Sequence, residues 1–335
     1  MKAYAAFPHQ CLPEQAPFAD LAEHYGYAGV LATENRQDPF CQVAAAAKPE
    51  RSIALGIAVT ALLARHPVPV AYACRDVQAS CGRPFILGIG TQLDVHLRSR
   101  YGLPTEDKHD RLVEAVACLR EIWAAWSEDR EPCFEGLHVS VTSCPSSFRP
   151  QLPPPSRPKI YLLCVSNADV RAAERIGVDG IFTHPAWPPH SVVRLARRLR
   201  ASAGSRHVEV VAGGIVASGA DDAACERSRA VARGRIGQYW MHERYDALYD
   251  AAGLREEIHE LRARAARSAL DWSDPWVDSM YRRFVCDAPF DRLADALLAH
   301  HGATVDAIFP NVVSALPALL PAEVVRALGT AAVPA

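Results

Sequence analysis

The feature that most constrains this chain is an alternation: eight short apolar runs, each followed by a stretch with helical periodicity. Short buried runs separated by crossover helices are the pattern of parallel β/α units. The runs fall at Ala3–Phe7, Gly29–Thr33, Ile53–Val59, Phe85–Ile89, Ile160–Cys164, Gly180–Phe182, Glu209–Ile215 and Val305–Phe309. Helices are predicted between them, opening at Phe18, Pro39, Pro67, Asp107, Asn167, Ser191 and Pro289, with a closing one over Pro321–Leu328. The clearest runs from Asp107 to Trp126, where Leu112, Val116, Leu119, Trp123 and Trp126 recur at steps of four and three and so share one face. Eight such strands fit a closed (β/α)8 barrel filling residues 1–335 as one domain; an open doubly wound sheet is the alternative.

Two segments break the rhythm. Residues 127–158 are rich in Pro and Ser and include Pro153-Pro154-Pro155, which reads as an insertion over the barrel mouth, shaping the pocket entrance. The stretch from Asp221 to about residue 285 is longer than one crossover needs and is expected to hold extra helices.

Composition excludes several functions. A net charge of −2 gives no electrostatic case for nucleic acid or an anionic membrane. The longest apolar stretch, Ile53 to Ala64, falls short of the roughly 20 residues a membrane helix requires. Met1 to Phe7 reads as a strand and not as a signal segment, so a cytoplasmic enzyme is expected. The ten cysteines contain no C-x-x-C pair and fit free thiols in a reducing compartment. No His/Asp/Glu cluster has metal-ligand spacing, so no metal is expected.

Several motifs then line up in order. They are Asp38-Pro39-Phe40, Ile53-Ala54-Leu55-Gly56-Ile57, Arg65-His66-Pro67, Cys81-Gly82-Arg83-Pro84-Phe85, Leu87-Gly88-Ile89-Gly90-Thr91-Gln92, Arg100-Tyr101-Gly102, Val178-Asp179-Gly180-Ile181 and Arg235-Ile236-Gly237-Gln238-Tyr239. Taken together, over about residues 20 to 312, they resemble the luciferase-like monooxygenase superfamily, in particular the branch usually assigned to the deazaflavin coenzyme F420. The resemblance implies an active site at the C-terminal ends of the strands. It also implies a bulge with a non-proline cis peptide in the third strand, at Gly56-Ile57, behind a flavin-like ring. Gly56 also reads simply as a packing glycine.

The same resemblance places a cofactor phosphate at the loop after the fifth strand, on Ser166 and the amides of Asn167 and Ala168. A helix N-terminus independently suits an anion, while Ser166 or Asn167 also reads as an ordinary N-cap. Asp169 fits poorly beside a phosphate. Gly90, Thr91 and Gln92 close the fourth strand, where a glycine lets a flat ring approach and the polar side chains can donate to it; a capped turn is the plainer reading.

Asn35 stands where many relatives carry a proton-handling histidine, and Thr91 where F420-dependent sugar dehydrogenases carry an acid. Asn35 can orient a carbonyl but cannot act as a base. The remaining acid–base candidates are His9 after the first strand, His184 after the sixth and Glu34 after the second, although a residue placed like Glu34 more often pairs with a barrel arginine. The expected function is hydride transfer between F420 and a small organic substrate. FMN-dependent monooxygenation with a partner flavin reductase is the alternative, and a degenerate, non-catalytic barrel the third. A homodimer is expected from the resemblance.

Overall fold

The computed structural model describes residues 1–8, 11–81, 83–150, 156–302, 304–312 and 319–330. The barrel is built from β1 (Lys2–Ala6), β2 (Gly29–Ala32), β3 (Ala54–Ala61) and β4 (Ile86–Gly90), followed after a small hairpin, β5 (Phe134–Glu135) and β6 (Ser140–Val141), by β7 (Lys159–Cys164), β8 (Gly180–Thr183) and β9 (Glu209–Ala217). A short β10 (Val285–Asp287) then precedes β11 (Ala307–Val312). Strands β1, β2, β3, β4, β7, β8, β9 and β11 pair in parallel around the ring, and β11 lies between β9 and β1 to close it. The expected closed barrel is therefore what forms. β10 continues the sheet beside the upper half of β9, at Ile215 to Ala217, where β8 has already ended.

The helices pack outside: α1 (Gln15–Tyr25), α2 (Pro39–Ala46), α3 (Pro67–Cys81), α4 (Asp94–Tyr101), α5 (Lys108–Ser127), α6 (Asn167–Ile176) and α7 (Pro189–Ala203). Between β9 and β10 come α8 (Asp222–Met241), α9 (Asp246–Ala252), α10 (Arg255–Arg267) and α11 (Pro275–Phe284); α12 (Phe290–His301) and α13 (Ala322–Thr330) finish the ring. Helix α5 buries the stripe of Leu112, Val116, Leu119, Trp123 and Trp126 that its periodicity predicts.

Inside the ring a separate apolar plug is formed by Tyr4, Leu31, Ile86, Tyr161, Phe182 and Val211. Its floor is polar. Glu209 accepts from Tyr161 at 2.5 Å and Tyr4 at 3.3 Å, with Lys2 at 3.6 Å, so the buried carboxylate is paired. Strands β3 and β4 approach closely only because Gly88 has no side chain: a Cβ there would stand 2.1 Å from the Ile57 carbonyl oxygen.

The described residues of the 127–158 segment line neither cavity at the barrel mouth. The described part packs on the outer flank of α3 and α5, where Tyr72 donates to the Phe148 carbonyl at 2.6 Å and Glu114 accepts from the amides of Leu137, His138 and Val139. The reason is local: a hairpin of two-residue strands cannot satisfy its own backbone and takes the missing acceptor from Glu114. No described helix is long and apolar enough to cross a membrane.

Candidate active site

Two adjoining cavities open at the C-terminal ends of the strands, of about 440 Å³ and 460 Å³. They share the walls Val59, Leu163 and His184. Val59 reaches this position because β3 carries a bulge. Between Ile57 and Thr60, three residue steps of β3 face two of β4, and the Ala58–Val59 peptide within it is cis. The expected position at Gly56-Ile57 is thereby corrected by two residues. Gly56 is a packing glycine whose Cβ would lie 2.7 Å from Ile86, and Ile57 is fully buried in the outer core. Neither lines a cavity; Ala58 and Val59 do.

The first cavity is polar at one end. Gly90, Thr91 and Gln92 all line it, and Gln92 takes a left-handed φ of 61° that turns its carbonyl toward Lys108, which donates to it at 3.1 Å. Lys108 also pairs with Asp94 at 2.6 Å. Ser166 lines the same cavity as the N-cap of α6. Its hydroxyl donates to Asp169 at 2.7 Å and accepts from the Asp169 amide at 3.2 Å, a reciprocal cap that occupies both its roles. Asn167 and Ala168 supply the first two helical amides, which have no acceptor within the helix.

Asp169 is the hub of this end. Its side chain is 1% exposed and also accepts from the Val165 amide at 3.1 Å, from Thr91 at 3.2 Å and from His109 Nε2 at 2.9 Å. Burial raises its pKa, but the bonds from His109, Ser166 and Val165 outweigh burial and hold it below the ordinary carboxylate range. A fixed anion therefore sits inside the first turn of α6; Lys108, paired with Asp94, and Arg244 are the cations of the cavity wall, and His109 lines it as a partner of Asp169. Room and the cations Lys108 and Arg244 fit an anionic cofactor tail, while Asp94 and Asp169 in the same wall oppose it; Asn167 and Ala168 follow Ser166 in the chain without lining the cavity. His109 was absent from the sequence candidates. The available signal was its place three residues before Leu112, on the inward stripe of α5.

The proton-handling candidates separate. Glu34 lines neither cavity: its side chain, 7% exposed, accepts from Thr60, from the Ala61 amide at 3.1 Å and from Tyr101 at 2.7 Å, with Arg65 at 3.5 Å. Burial pushes its pKa up, yet these partners bring the net position below the usual range. Its place is that of an anchor for the end of β3, which corrects its assignment as an acid or base. Asn35 stands on the exposed rim of the second cavity, its amide donating to Thr33 at 3.2 Å. His184 is brought to the wall between the cavities, packed edge-on to Tyr239 at 4.9 Å and against Tyr245 at 5.0 Å. Its Nδ1 accepts from the Ala186 amide at 3.1 Å, and burial pulls its pKa down to about 4. At neutral pH it is an uncharged ring with its proton on Nε2, a hydrogen-bond donor and not a base. His9 lies outside the described residues.

Comparison with known proteins gives this geometry a family. An uncharacterized protein of Mycobacterium tuberculosis is 29% identical over 324 residues, 94% of each chain. The F420-dependent tetrahydromethanopterin reductase of Methanopyrus kandleri superposes with a TM-score of 0.71 at 16% identity, over 98% of this chain and 97% of that one. The oxygenating constituent of 3,6-diketocamphane monooxygenase from Pseudomonas putida, solved in complex with FMN, gives 0.68 at 15% identity over the same shares. At such identities the two structures establish the barrel. The sequence profile described as luciferase-like monooxygenase matches residues 6–307, and this chain belongs to that family.

Proposed function

We propose that the protein is a cytoplasmic oxidoreductase that transfers a hydride between coenzyme F420 and a small organic substrate. The observation that carries the reading is the pairing of two unlike cavities across the Ala58–Val59 bulge. One carries Lys108, His109 and Arg244; the other is walled by Tyr4, Phe7, Tyr27 and Phe309. A cofactor with an anionic tail suits the first, an organic substrate the second, and the shared wall brings them together.

When bound, a deazaflavin supplies or accepts a hydride at a ring carbon. Lys108 and Arg244 would hold the tail, and Gly90 would let the ring approach the backbone. The preference for F420 over FMN rests on the resemblance to the F420 branch, since the two cations of the rim are matched by Asp94 and Asp169. His184, in the wall between the two cavities, would donate from Nε2 to an acceptor oxygen of cofactor or substrate.

Fluorescence titration of F420 into the purified protein tests the reading, with FMN titrated in parallel. Quenching that saturates with a Kd in the low micromolar range, and weaker FMN binding, is the expected result. No F420 binding at about 100 μM, a bound free energy weaker than ~5.5 kcal/mol, overturns it. FMN binding in its place would assign the barrel to flavin-dependent monooxygenation with a reductase partner.

A further inference from the structure

Arg235 lies on α8, half-buried, in the wall of the second cavity. Two arginines of the same helix are neutralised: Arg229 pairs with Asp287 at 2.8 Å and with Glu226 at 3.0 Å, and Arg233 pairs with Glu226 at 3.4 Å. Arg235 has no ion pair or hydrogen bond among the described residues, and no Asp or Glu stands among the described residues lining its cavity. His184, on the same wall, is uncharged at neutral pH. Among the described residues the cavity therefore carries one uncompensated positive charge, in walls made largely of Tyr4, Phe7, Tyr27, Phe182 and Phe309.

A guanidinium keeps its charge at any physiological pH, and its planar fork matches a carboxylate bidentately. Beside apolar walls it interacts more strongly with an anion than it would in water. We infer that the second cavity takes an aromatic or alicyclic carboxylate, the ring against the aromatic walls and the carboxylate on Arg235. This deepens the redox reading by naming the substrate class, and it rests on that reading only for calling this cavity the substrate side. The first cavity has its own bases, so the two anionic groups, cofactor tail and substrate, are received at separate places.

The test is isothermal titration of the full chain, without cofactor, using 2-naphthoate and its uncharged isostere 2-naphthamide. In the natural protein the carboxylate should bind about ten- to a hundredfold more tightly than the amide, the range of a charge-assisted hydrogen bond. Arg235→Gln should bring the two to within about twofold, and Arg235→Lys should keep part of the preference. F420 or FMN affinity should be unchanged in Arg235→Gln, because Arg235 lines only the second cavity. Equal binding of the two probes, no binding of either, or a preference that survives Arg235→Gln overturns the inference. A preference for naphthoate in a protein that binds neither cofactor removes the redox reading and leaves the anion pocket standing. Cofactor binding without the preference removes the pocket alone.

Discussion

Replacing Asp169 by Asn should weaken the fold and tighten the cofactor at the same time. The carboxylate receives the Val165 amide, Ser166, Thr91 and His109, all within 3.2 Å. An amide of the same shape keeps an oxygen for Val165 and Ser166 and turns an NH2 group toward Thr91 and His109. The Thr91 hydroxyl can rotate to accept, and His109 can present a bare nitrogen. What is lost is the charge assistance of the bonds, roughly 1–3 kcal/mol in total, or a fall of about 1–4 °C in Tm for a chain of this length. The cofactor feels the opposite sign. A tail anion ~6 Å from the carboxylate is repelled by about 1.4–2.8 kcal/mol at an effective dielectric of 40 to 20. Removing that charge should tighten F420, or whichever cofactor binds, by about ten- to a hundredfold. Thermal melts and fluorescence titration of the two proteins measure both quantities. A fall in Tm with unchanged or weaker cofactor affinity would refute the placement of an anion at α6, since the destabilised cap would then be the whole effect.

Glu34→Gln should cost about 2–4 kcal/mol, read as a lower urea midpoint, because it unties Thr60, Ala61, Tyr101 and Arg65 at the end of β3. The pH profile of the residual activity should keep its shape; a lost limb would restore Glu34 as an acid or base. His301, buried at the last position of α12, should drive acid unfolding. Burial, with the neighbouring His300, pulls its pKa down to about 3, whereas the unfolded chain takes up a proton near 6.5. Its contribution is then whole above pH 6.5 and disappears as the pH falls from there toward 3, about 5 kcal/mol over the full span. His301→Gln should flatten that limb of the stability curve, and an unchanged limb would assign acid unfolding to other groups.

The barrel was readable because each stave is buried on both faces. Such strands need no alternation, so runs such as Ile160–Cys164 and Gly180–Phe182 stand out against the helices between them, and each lies within a residue of the observed strand. Elements without an apolar surface of their own escaped. Helix α4 is Asp-Val-His-Leu-Arg-Ser-Arg-Tyr with only Leu97 buried, which leaves no stripe to read. β10 is three residues long, and Val285-Cys286-Asp287 becomes a strand only because β9 outruns β8 and offers an open edge. The insertion was misplaced for a related reason: its destination is set by Glu114 and Tyr72, side chains far away in sequence.

The site was legible to the level of which loops meet at the mouth, and illegible where two uses of one residue type compete. A glycine in β3 is demanded both by close packing and by approach to a ring. Gly56 answers the first demand, so the bulge falls at Ala58–Val59, where no residue type announces it. An acid three residues after an N-cap serves a helix in any protein, so Asp169 reads as ordinary capping until the fold brings His109 and Thr91 against it. The same holds for Arg235. On α8 it is one arginine among several, and only the barrel decides that Arg229 and Arg233 meet acids while Arg235 meets a cavity. Charge in this sequence thus acquires its function from pairing, and pairing is a property of the closed barrel and not of any segment read alone.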